Sequence, residues 1–573
     1  MADSAGEGVE AYESHPRLRD AARVLAVLCF VCTAFTAAGA IVLIGYTRAN
    51  PDLDAIQLPG GLLVRAVLFS LATAAAAAAV WALRGPETAP RDARPEYRAP
   101  GAWGRPGLAL VAVLVATAVL LSARVSIYPW AAPDEVHHLV VARNLALHGS
   151  YASGHPDAGF LYFDSFDSVG PTVIAPIALA FRAFGLDLAV ARHVMVAFFL
   201  LLCLAQYFLA RRLFAPWTAV ASVALLVGTV SSTYLGRTLY GEVPAYAFLL
   251  LGLLAWGAAL ERPRAMGYGL LAGFLVAAAV LTKTILALVA FSFLGAWLYD
   301  RATDRAIRWP HVLWPVAGGL ATMGAWALIQ RWHAPANADP GGVLAIYQHY
   351  LLFGVGSAGR AFQHAILPHP VTHLAMLAVL ALAIASGFRG PRRLPALVLL
   401  LFAVFMGYWW FFFTPGHLHR YLWNSYAILA LFAAPWLCRA LAELARPEFP
   451  ARRRIAALAC AILLAAPQAR WIAFQAREIA TNSEMHPEYA LIGAVEALPA
   501  DQRIATDVER LPGLLHFFAG RRVETGEDPV ALLAAYDTVI ARDSPALRGV
   551  LHDGIRVQPA GAFVLLSIAE NPE

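Results

Sequence analysis

The chain has 573 residues, of which 60% are hydrophobic and 14% are charged, and its net charge is +5. Soluble domains carry about 25% charged residues, so the composition excludes a soluble enzyme built from several domains. The small net charge does not indicate nucleic acid as a partner, because the arginines stand in short clusters between apolar runs. The sequence therefore predicts a polytopic α-helical membrane protein.

Apolar runs of about 20 residues, each sufficient to cross a bilayer, recur along most of the chain. We predict about thirteen transmembrane helices, at 21–46, 61–83, 106–126, 187–210, 216–234, 243–260, 266–282, 284–299, 311–330, 371–388, 394–413, 421–438 and 455–474. The apolar stretch 172–184 cannot also span if Arg211 and Arg212 are cytoplasmic. We expect it to lie along the outer membrane surface.

Arginine clusters recur between alternate spans, and such clusters mark cytoplasmic loops. This pattern places the N-terminus in the cytoplasm and makes the segments 127–186 and 235–242, the turn at 282–284, and 414–420 external. The strong arginine and alanine bias indicates a GC-rich bacterial genome. We therefore predict a multi-pass protein of the bacterial inner membrane.

Three regions follow from these patterns. Residues 1–105 hold the first two spans and an arginine-rich cytoplasmic loop. Residues 106–475 form the main transmembrane module with its external loop 127–186. Residues 476–573 lose the transmembrane character, and the segments RIATDVE, DTVIAR and AFVLLSI predict short strands. We expect a small extracytoplasmic α/β domain there.

The first external loop carries the segment PDEVHHLVVARNLALHGSY. We predict an amphipathic helix at the membrane surface, with Asp134 as its N-cap, Glu135 in its first turn, and His138 and Arg143 off its apolar face. Capping alone explains the two acids. Two adjacent carboxylates just outside a bilayer also suit a general base that deprotonates an acceptor hydroxyl.

Lys283 is the only lysine in the chain and lies in the motif LTKT, between two apolar runs. A lysine that merely snorkels at a helix end is one explanation. The chain uses arginine at its other helix ends, however, so that explanation predicts arginine here. A compact ammonium group suits a phosphate oxygen, and we predict that Lys283 binds phosphate.

The segment STYLGRTLYGEVPAYAF places Arg237 and Glu242 at the mouth of a span. A helix cap explains Glu242 equally well. Ionisable groups at this depth are nevertheless functional candidates by default. We therefore predict that both residues bind substrate, together with His138 and Arg143.

A short external turn carries His417, His419, Arg420 and Tyr421 between aromatic-rich helix ends. The aromatic residues also fit an interfacial belt. Two histidines and an arginine in one turn suit an anion or pyrophosphate group. The His-x-His pair could ligate a metal, but no third ligand is evident, so we predict no metal and no cofactor; a divalent cation is not indicated.

In their order and shared sidedness, these motifs resemble the GT-C superfamily of membrane glycosyltransferases. The motifs are DE after an early span, a helix ending in GSY, R…E at the next outer mouth, LTKT, and the late HRYL. The resemblance covers about residues 106–475 and is greatest to the protein O-mannosyltransferases and the lipid A aminoarabinose transferase-like enzymes. It implies a polyprenyl-phosphate sugar as donor, an extracytoplasmic active site and an inverting displacement.

The resemblance also implies roles for individual residues. Asp134 matches the catalytic base, and Glu135 matches its partner. Lys283 matches the family's LTK-type lysine, and Arg420 and Tyr421 match the late Arg-Tyr pair that helps hold the lipid phosphate.

The chain departs from the family pattern at three places. Glu242 stands where many members have aspartate, and the family's Pro-Pro pair in the first loop is here Gly170-Pro171. The first two spans and the loop to Arg105 are extra.

We therefore expect an inverting glycosyltransferase whose partners are a polyprenyl-phosphate-linked sugar, membrane lipids, and a lipid, glycan or protein that offers a hydroxyl. A transporter or flippase of a lipid-linked saccharide also explains the spans and the cationic residues, but no internal repeat is visible. A non-catalytic envelope assembly or sensor protein leaves Lys283 unexplained. A polymerase of surface polysaccharide shares much of the proposed chemistry.

Overall fold

Long apolar helices form most of the fold. The structure is a computed structural model, which describes residues 23, 24, 26, 27, 104–163, 169–262, 265–333, 370–385, 388, 392–413, 419–481, 487–508, 511–551, 555–560 and 562–568. Apart from residues 23, 24, 26 and 27, the first two predicted spans lie outside these ranges, as does nearly all of the arginine-rich loop that follows them.

The helices before the C-terminal sheet are α1 (Arg105–Ser122), α2 (Pro133–His148), α3 (Pro171–Phe184), α4 (Leu188–Leu213), α5 (Pro216–Gly228), α6 (Ser232–Leu235), α7 (Glu242–Glu261), α8 (Ala265–Thr282), α9 (Val289–Ala302), α10 (Pro310–His333), α11 (Pro370–Ala385), α12 (Leu394–Phe413), α13 (His419–Leu444) and α14 (Ala451–Thr481). A 3₁₀ helix, Thr284–Leu288, leads from α8 into α9. A short antiparallel pair, β1 (Ala152–Ser153) and β2 (Leu161–Tyr162), follows α2.

Within the described residues, eight helical segments are long and apolar enough to cross a membrane: α1, α4, α7, Thr284–Ala302, α10, α12, α13 and α14. The chain is thus a multi-pass membrane protein. The predicted count of about thirteen spans is not confirmed. The helices α5, α8 and α11 are apolar but fall short of the required span length in the described residues.

The helix α5 ends well before residue 234, where the hydrophobic pattern predicts its end. Thr229 Oγ1 donates to the Leu225 carbonyl at 2.9 Å, and Ser232 Oγ donates to the Leu226 carbonyl at 2.7 Å. Such local side-chain bonds offer the backbone an alternative to the helix. Thr229 is extended and Ser231 has a φ of 65°, so the chain turns there.

The stretch predicted to lie along the membrane surface forms α3, which is too short to cross a bilayer. It packs against α2, α4 and the end of α8. Its buried face carries Val173, Ile174, Ile177, Ala178 and Phe181. This face of α3 thus packs against other helices of the chain, whereas Leu179 and Phe184 are exposed.

The C-terminal region contains a five-stranded mixed sheet. Its strands are β3 (Ile504–Thr506), β4 (Val523–Thr525), β5 (Thr538–Arg542), β6 (Ile555–Ala560) and β7 (Phe563–Ile568), in the order β4-β3-β5-β7-β6. β3 is parallel to β4 and β5, whereas β7 is antiparallel to β5 and β6. The helices α15 (Pro487–Glu496), α16 (Leu511–Ala519), α17 (Pro529–Leu532) and α18 (Pro545–Val550) accompany it. β3, β5 and β7 fall on the three predicted strand motifs.

The helix α2 does not have the single apolar face predicted for it, and that prediction is wrong. Its place at the membrane surface stays a prediction. Residues on all sides of α2 are buried, because α3 covers one face and α16 of the C-terminal region covers another. Leu139 and Leu514 belong to the same hydrophobic cluster, and the rings of Phe181 and Phe517 lie 5.8 Å apart. The C-terminal region therefore shares a core with the loop that carries Asp134.

The helices α8 and α10 approach so closely that their backbones touch at glycines. A Cβ atom placed on Gly273 would lie 1.9 Å from the Pro315 carbonyl oxygen, and one on Gly318 would lie 2.3 Å from the Leu270 oxygen. Small residues permit such approaches between helices in a membrane. Since α8 ends immediately before Lys283, this contact also fixes the position of that lysine.

We predict that Gly273→Ala lowers the melting temperature of the detergent-purified protein, because the added methyl group must push α10 away. Overpacking of this kind costs about 1–3 kcal/mol. Gly267→Ala is the matched control on the same helix, since a Cβ there meets nothing within 4 Å and alanine favours helix by about 1 kcal/mol. Equal melting temperatures for the two variants would contradict the close contact.

Candidate active site

Asp134 lies in the first turn of α2 and faces the start of α13. Its Oδ2 accepts a hydrogen bond from Arg420 Nη2 at 2.7 Å, and its side chain is 46% exposed. The N-cap of α2 is Ala132, and no side chain caps this helix. The predicted N-cap position of Asp134 is therefore wrong. Its carboxylate is held by a guanidinium on one side and is accessible to solvent.

Glu135 lies in the core, where its carboxylate forms a bidentate ion pair with Arg192 of α4. Arg192 Nε donates to Oε1 at 2.9 Å and Nη2 donates to Oε2 at 2.7 Å, and neither side chain has exposed surface. Arg192 Nη1 also donates to the Val125 carbonyl at 2.8 Å. This burial speaks against the predicted catalytic role of Glu135 and favours a role in positioning α2.

Lys283 lies in the extended turn between α8 and the 3₁₀ helix, inside the bundle. Its side chain is 6% exposed, and its Nζ lies 3.7 Å from Glu242 Oε1. A lysine that snorkels outward would not be so deeply buried. Glu242 is the first residue of α7, and neither of its carboxylate oxygens accepts a hydrogen bond from the described residues. The carboxylate of Glu242 thus keeps hydrogen-bonding capacity for a polar ligand.

Aromatic rings surround the guanidinium of Arg420. Its Cζ lies 4.5 Å from the ring centre of Tyr240 and 5.1 Å from that of Tyr421, and Nη2 donates to the Tyr421 hydroxyl at 3.3 Å. Tyr240 is fixed in turn by a 3.1 Å hydrogen bond to the Tyr234 hydroxyl. Cation–π contacts and the ion pair to Asp134 therefore hold Arg420 in one place.

His138 follows Asp134 by one turn of α2 and is buried. Its Nδ1 lies 2.7 Å from the Leu239 carbonyl oxygen, so Nδ1 carries the proton and Nε2 remains an acceptor. Burial, together with the positive charge of Lys283, holds the pKa of His138 well below its usual range. The imidazole is therefore neutral at physiological pH.

Electrostatic contact joins these groups into one cluster. The carboxylate of Glu242 interacts electrostatically with Arg420 and Tyr421. His138 interacts in the same way with Lys283 and Arg420. Six residues predicted from the sequence therefore meet at one end of the bundle: Asp134, His138, Glu242, Lys283, Arg420 and Tyr421.

Arg143 is not part of this cluster. It lies about two and a half turns along α2 from Asp134, and its Nη1 is 3.2 Å from His516 Nε2 of α16. The ring of His516 also packs edge-on against that of His155 at 4.7 Å. Arg143 thus joins α2 to the C-terminal region, which speaks against its predicted contact with substrate.

Arg237 also lies apart from the cluster. Its side chain is fully buried, Nη2 donates to the Ala123 carbonyl after α1, and Cζ lies 5.6 Å from the ring centre of Tyr128. Burial and the nearby charge of Arg192 lower the pKa of Arg237. These contacts favour a role in holding the loop after α1.

The structure does not describe the side chains of two predicted phosphate-binding residues, His417 and His419. His417 lies outside the described residues, and for His419 the structure describes the backbone at the start of α13. Their predicted contact with phosphate stays a prediction.

Gly170, where the family pattern has proline, contacts the turn that carries Lys283. Its amide donates to the Thr282 carbonyl at 3.2 Å, and a Cβ on Gly170 would lie 1.6 Å from the Leu281 carbonyl oxygen. The hydroxyls of Thr172 and Thr282 lie 2.5 Å apart. Only glycine permits this approach, so the departure at Gly170 has a structural reason.

The sequence patterns missed two residues of the site. Arg192 lies near the start of a helix whose other arginines, Arg211 and Arg212, are in its last turn. An ionisable residue in the apolar part of such a helix is a functional candidate. Tyr240 lies two positions before Glu242, and no spacing rule marks it as a partner of Arg420.

The chain resembles known proteins in sequence and in structure. Residues 168–327 match the family model of the dolichyl-phosphate-mannose-protein mannosyltransferases. ArnT from Cupriavidus metallidurans bound to undecaprenyl phosphate aligns with 81% of this chain and 98% of its own, at 16% sequence identity and a TM-score of 0.58. The chain has a GT-C fold.

The chain also aligns with the structure of ArnT that lacks undecaprenyl phosphate. ArnT from Cupriavidus metallidurans in the apo state covers 80% of this chain and 98% of its own, at 16% identity and a TM-score of 0.56. A search of curated proteins found no match. The resemblance to the GT-C superfamily of membrane glycosyltransferases, predicted from the motifs, is confirmed.

We predict that Glu135→Leu or Arg192→Met alone destabilises this GT-C fold strongly, since each leaves a buried charge without its partner. Losses of about 3–5 kcal/mol are typical of such changes. The double variant is expected to regain much of the lost melting temperature, because no unpaired charge remains. Arg439→Gln breaks a surface ion pair with Glu443 and serves as the control, with little change in melting temperature expected. Additive losses in the double variant would contradict this account.

We predict that acid weakens the contact between α2 and α16. Burial and the charge of Arg143, with His155 and His148 nearby, lower the pKa of His516 to about 3, whereas an unfolded histidine titrates near 6.5 (roughly the model-peptide value). The unfolded chain therefore binds a proton that the folded chain excludes, so stability is lost as the pH falls from about 6.5 towards 3.

The measurement is the decline in melting temperature between about pH 7 and pH 4, for the parent and for His516→Gln. The variant should show a shallower decline than the parent. The exposed His193 gives the matched control His193→Gln, which should keep the parent's decline. An unchanged slope in His516→Gln would refute the assignment.

Proposed function

We propose that this chain is an inverting glycosyltransferase, which moves a sugar from a polyprenyl-phosphate donor to an acceptor hydroxyl on the external face of the bacterial inner membrane. One observation carries the proposal. An accessible carboxylate, Asp134, contacts Arg420 beside the buried Lys283–Glu242 pair. A base and two cations from distant parts of the chain thus lie together at one end of a GT-C fold.

Asp134 is the proposed general base. As the acceptor oxygen attacks the anomeric carbon, Asp134 takes the proton of that hydroxyl. The bond between the anomeric carbon and the phosphate oxygen breaks, and its electron pair leaves with the polyprenyl phosphate. Because the acceptor attacks from the side opposite the phosphate, the configuration at the anomeric carbon inverts.

Lys283 and Arg420 are the proposed phosphate clamp. Negative charge develops on the leaving phosphate, and preorganised cations stabilise it most in a site that excludes water. Arg420 Nε is buried and has no hydrogen-bond partner among the described side chains and backbone. It can therefore donate to a phosphate oxygen while Nη2 remains on Asp134.

An apolar cleft near Lys283 supports a donor that carries a lipid. The cleft has a volume of about 560 Å³ and lies between α7, α8, α9 and α10. Val280 and Ala287, which flank Lys283 in the sequence, line it, as do Phe293 and Val312. The ArnT structure contains undecaprenyl phosphate, and the same class of lipid suits an apolar cleft beside a lysine.

The test is sugar transfer in proteoliposomes from a panel of undecaprenyl-phosphate sugars, with Asp134→Asn and Lys283→Ala compared with the parent. Asp134→Asn should lower kcat by about 10²- to 10⁴-fold, because general base catalysis is lost, and should retain donor binding. Lys283→Ala should weaken donor binding, and Lys283→Arg should restore it only in part, since a planar fork does not replace a point charge.

Two controls accompany this test. Asp157→Asn removes an acid that is 77% exposed and lies outside the cluster, and it should leave transfer unchanged. Lys283→Met with Glu242→Gln removes both charges of the buried pair, so donor binding can be measured without an unpaired carboxylate. If the parent transfers no sugar but moves a labelled lipid-linked sugar across the bilayer, the chain is a transporter and the proposal fails.

A further inference from the structure

Asn424 of α13 carries a buried amide that the proposed reaction leaves unused. Its side chain is 1% exposed. Neither Oδ1 nor Nδ2 has a hydrogen-bond partner among the residues that the structure describes. A buried amide without partners is unfavourable, so such groups in native proteins call for an explanation, and a ligand is one.

The neighbours of Asn424 fix the face on which it lies. Trp423 Nε1 donates to Ser232 of α6 at 2.8 Å, Ser425 Oγ donates to the Ala403 carbonyl of α12 at 2.8 Å, and Tyr426 contacts His373 of α11 at 2.6 Å. Trp423, Ser425 and Tyr426 therefore point towards α6, α12 and α11, and Asn424 lies on a different face of α13. That remaining face also carries Arg420, four residues earlier and so one turn away.

The depth of Asn424 follows from α7. Tyr246 lies one turn along α7 from Glu242, and its ring packs edge-on against Trp423 at 5.9 Å. The residues of this level lie about 6 Å along the helix axes from the level of Glu242 and Arg420. Asn424 thus lies one helical turn deeper in the bundle than Arg420 of the cluster that contains Asp134.

The chemistry of an amide selects the ligand. Oδ1 accepts and Nδ2 donates, whereas the phosphate of a polyprenyl-phosphate sugar offers only acceptors. A hydroxyl group both donates and accepts, and it satisfies both atoms of the amide. We propose that Asn424 binds a hydroxyl group of the donor's sugar and so distinguishes sugar-bearing lipid from the polyprenyl phosphate left after transfer. This inference rests on the proposed function.

The test compares two lipids in the absence of acceptor: undecaprenyl phosphate, and the sugar-bearing undecaprenyl phosphate that the parent binds most tightly in a panel of hexose and pentose derivatives. The parent should prefer the sugar-bearing lipid, and Asn424→Leu should lose about 10-fold or more of that preference. Its affinity for undecaprenyl phosphate should stay within about twofold of the parent's, since the phosphate contacts are intact. Ser425→Ala, the adjacent buried position, should keep the preference.

The melting temperature separates ligand binding from a structural role. Because leucine has nearly the shape of asparagine and no polar atoms, Asn424→Leu should melt at or above the parent's temperature. A lower melting temperature with an unchanged lipid preference would show that a water or a protein group satisfies the amide and would overturn the inference. So would a parent without any preference for sugar-bearing lipids. Absence of transfer despite such a preference would instead overturn the proposed reaction.

Discussion

The buried ion pair between Glu135 and Arg192 is the interaction on which the rest of the site depends. Its two hydrogen bonds hold the first turn of α2 against α4, and a third bond from Arg192 holds the chain after α1. Asp134 precedes Glu135 by one residue. A rotation of α2 that moved the Asp134 carboxylate would therefore also break the buried pair of Glu135 and Arg192. The pair of Glu135 and Arg192 therefore sets the position of the proposed base.

The choice of cations follows from what each must contact. Arg192 faces a carboxylate edge with its planar fork, and Arg420 lies between aromatic rings, and arginine suits both surroundings. Lys283 lies in an extended turn with Glu242 as a partner at 3.7 Å. Every other basic residue of the chain is arginine. The proposed role of Lys283 in phosphate binding uses the compact charge of an ammonium group, which a planar guanidinium does not reproduce.

The sequence predicted those features that depend on local patterns. Apolar runs located the helices, the strand motifs located β3, β5 and β7, and the ordered motifs located Asp134, Lys283 and Arg420. Features that depend on distant contacts were not predictable. The predicted polar face of α2 is buried because α16 covers it. Arg143 of α2 and His516 of α16 are in contact, although they lie 373 positions apart in the sequence. Nothing within the helix itself signals that cover.

The contact of Gly170 with the end of α8 has a consequence for how such a molecule works. The loop that leads into α3 and the turn that holds Lys283 share two hydrogen bonds and a backbone contact that admits no side chain. The two segments are therefore tied to each other next to the residues of the proposed site. A motion that separated the Gly170 segment from the turn of Lys283 would have to break both hydrogen bonds, so the spacing between the two segments is set by direct contact of their backbones.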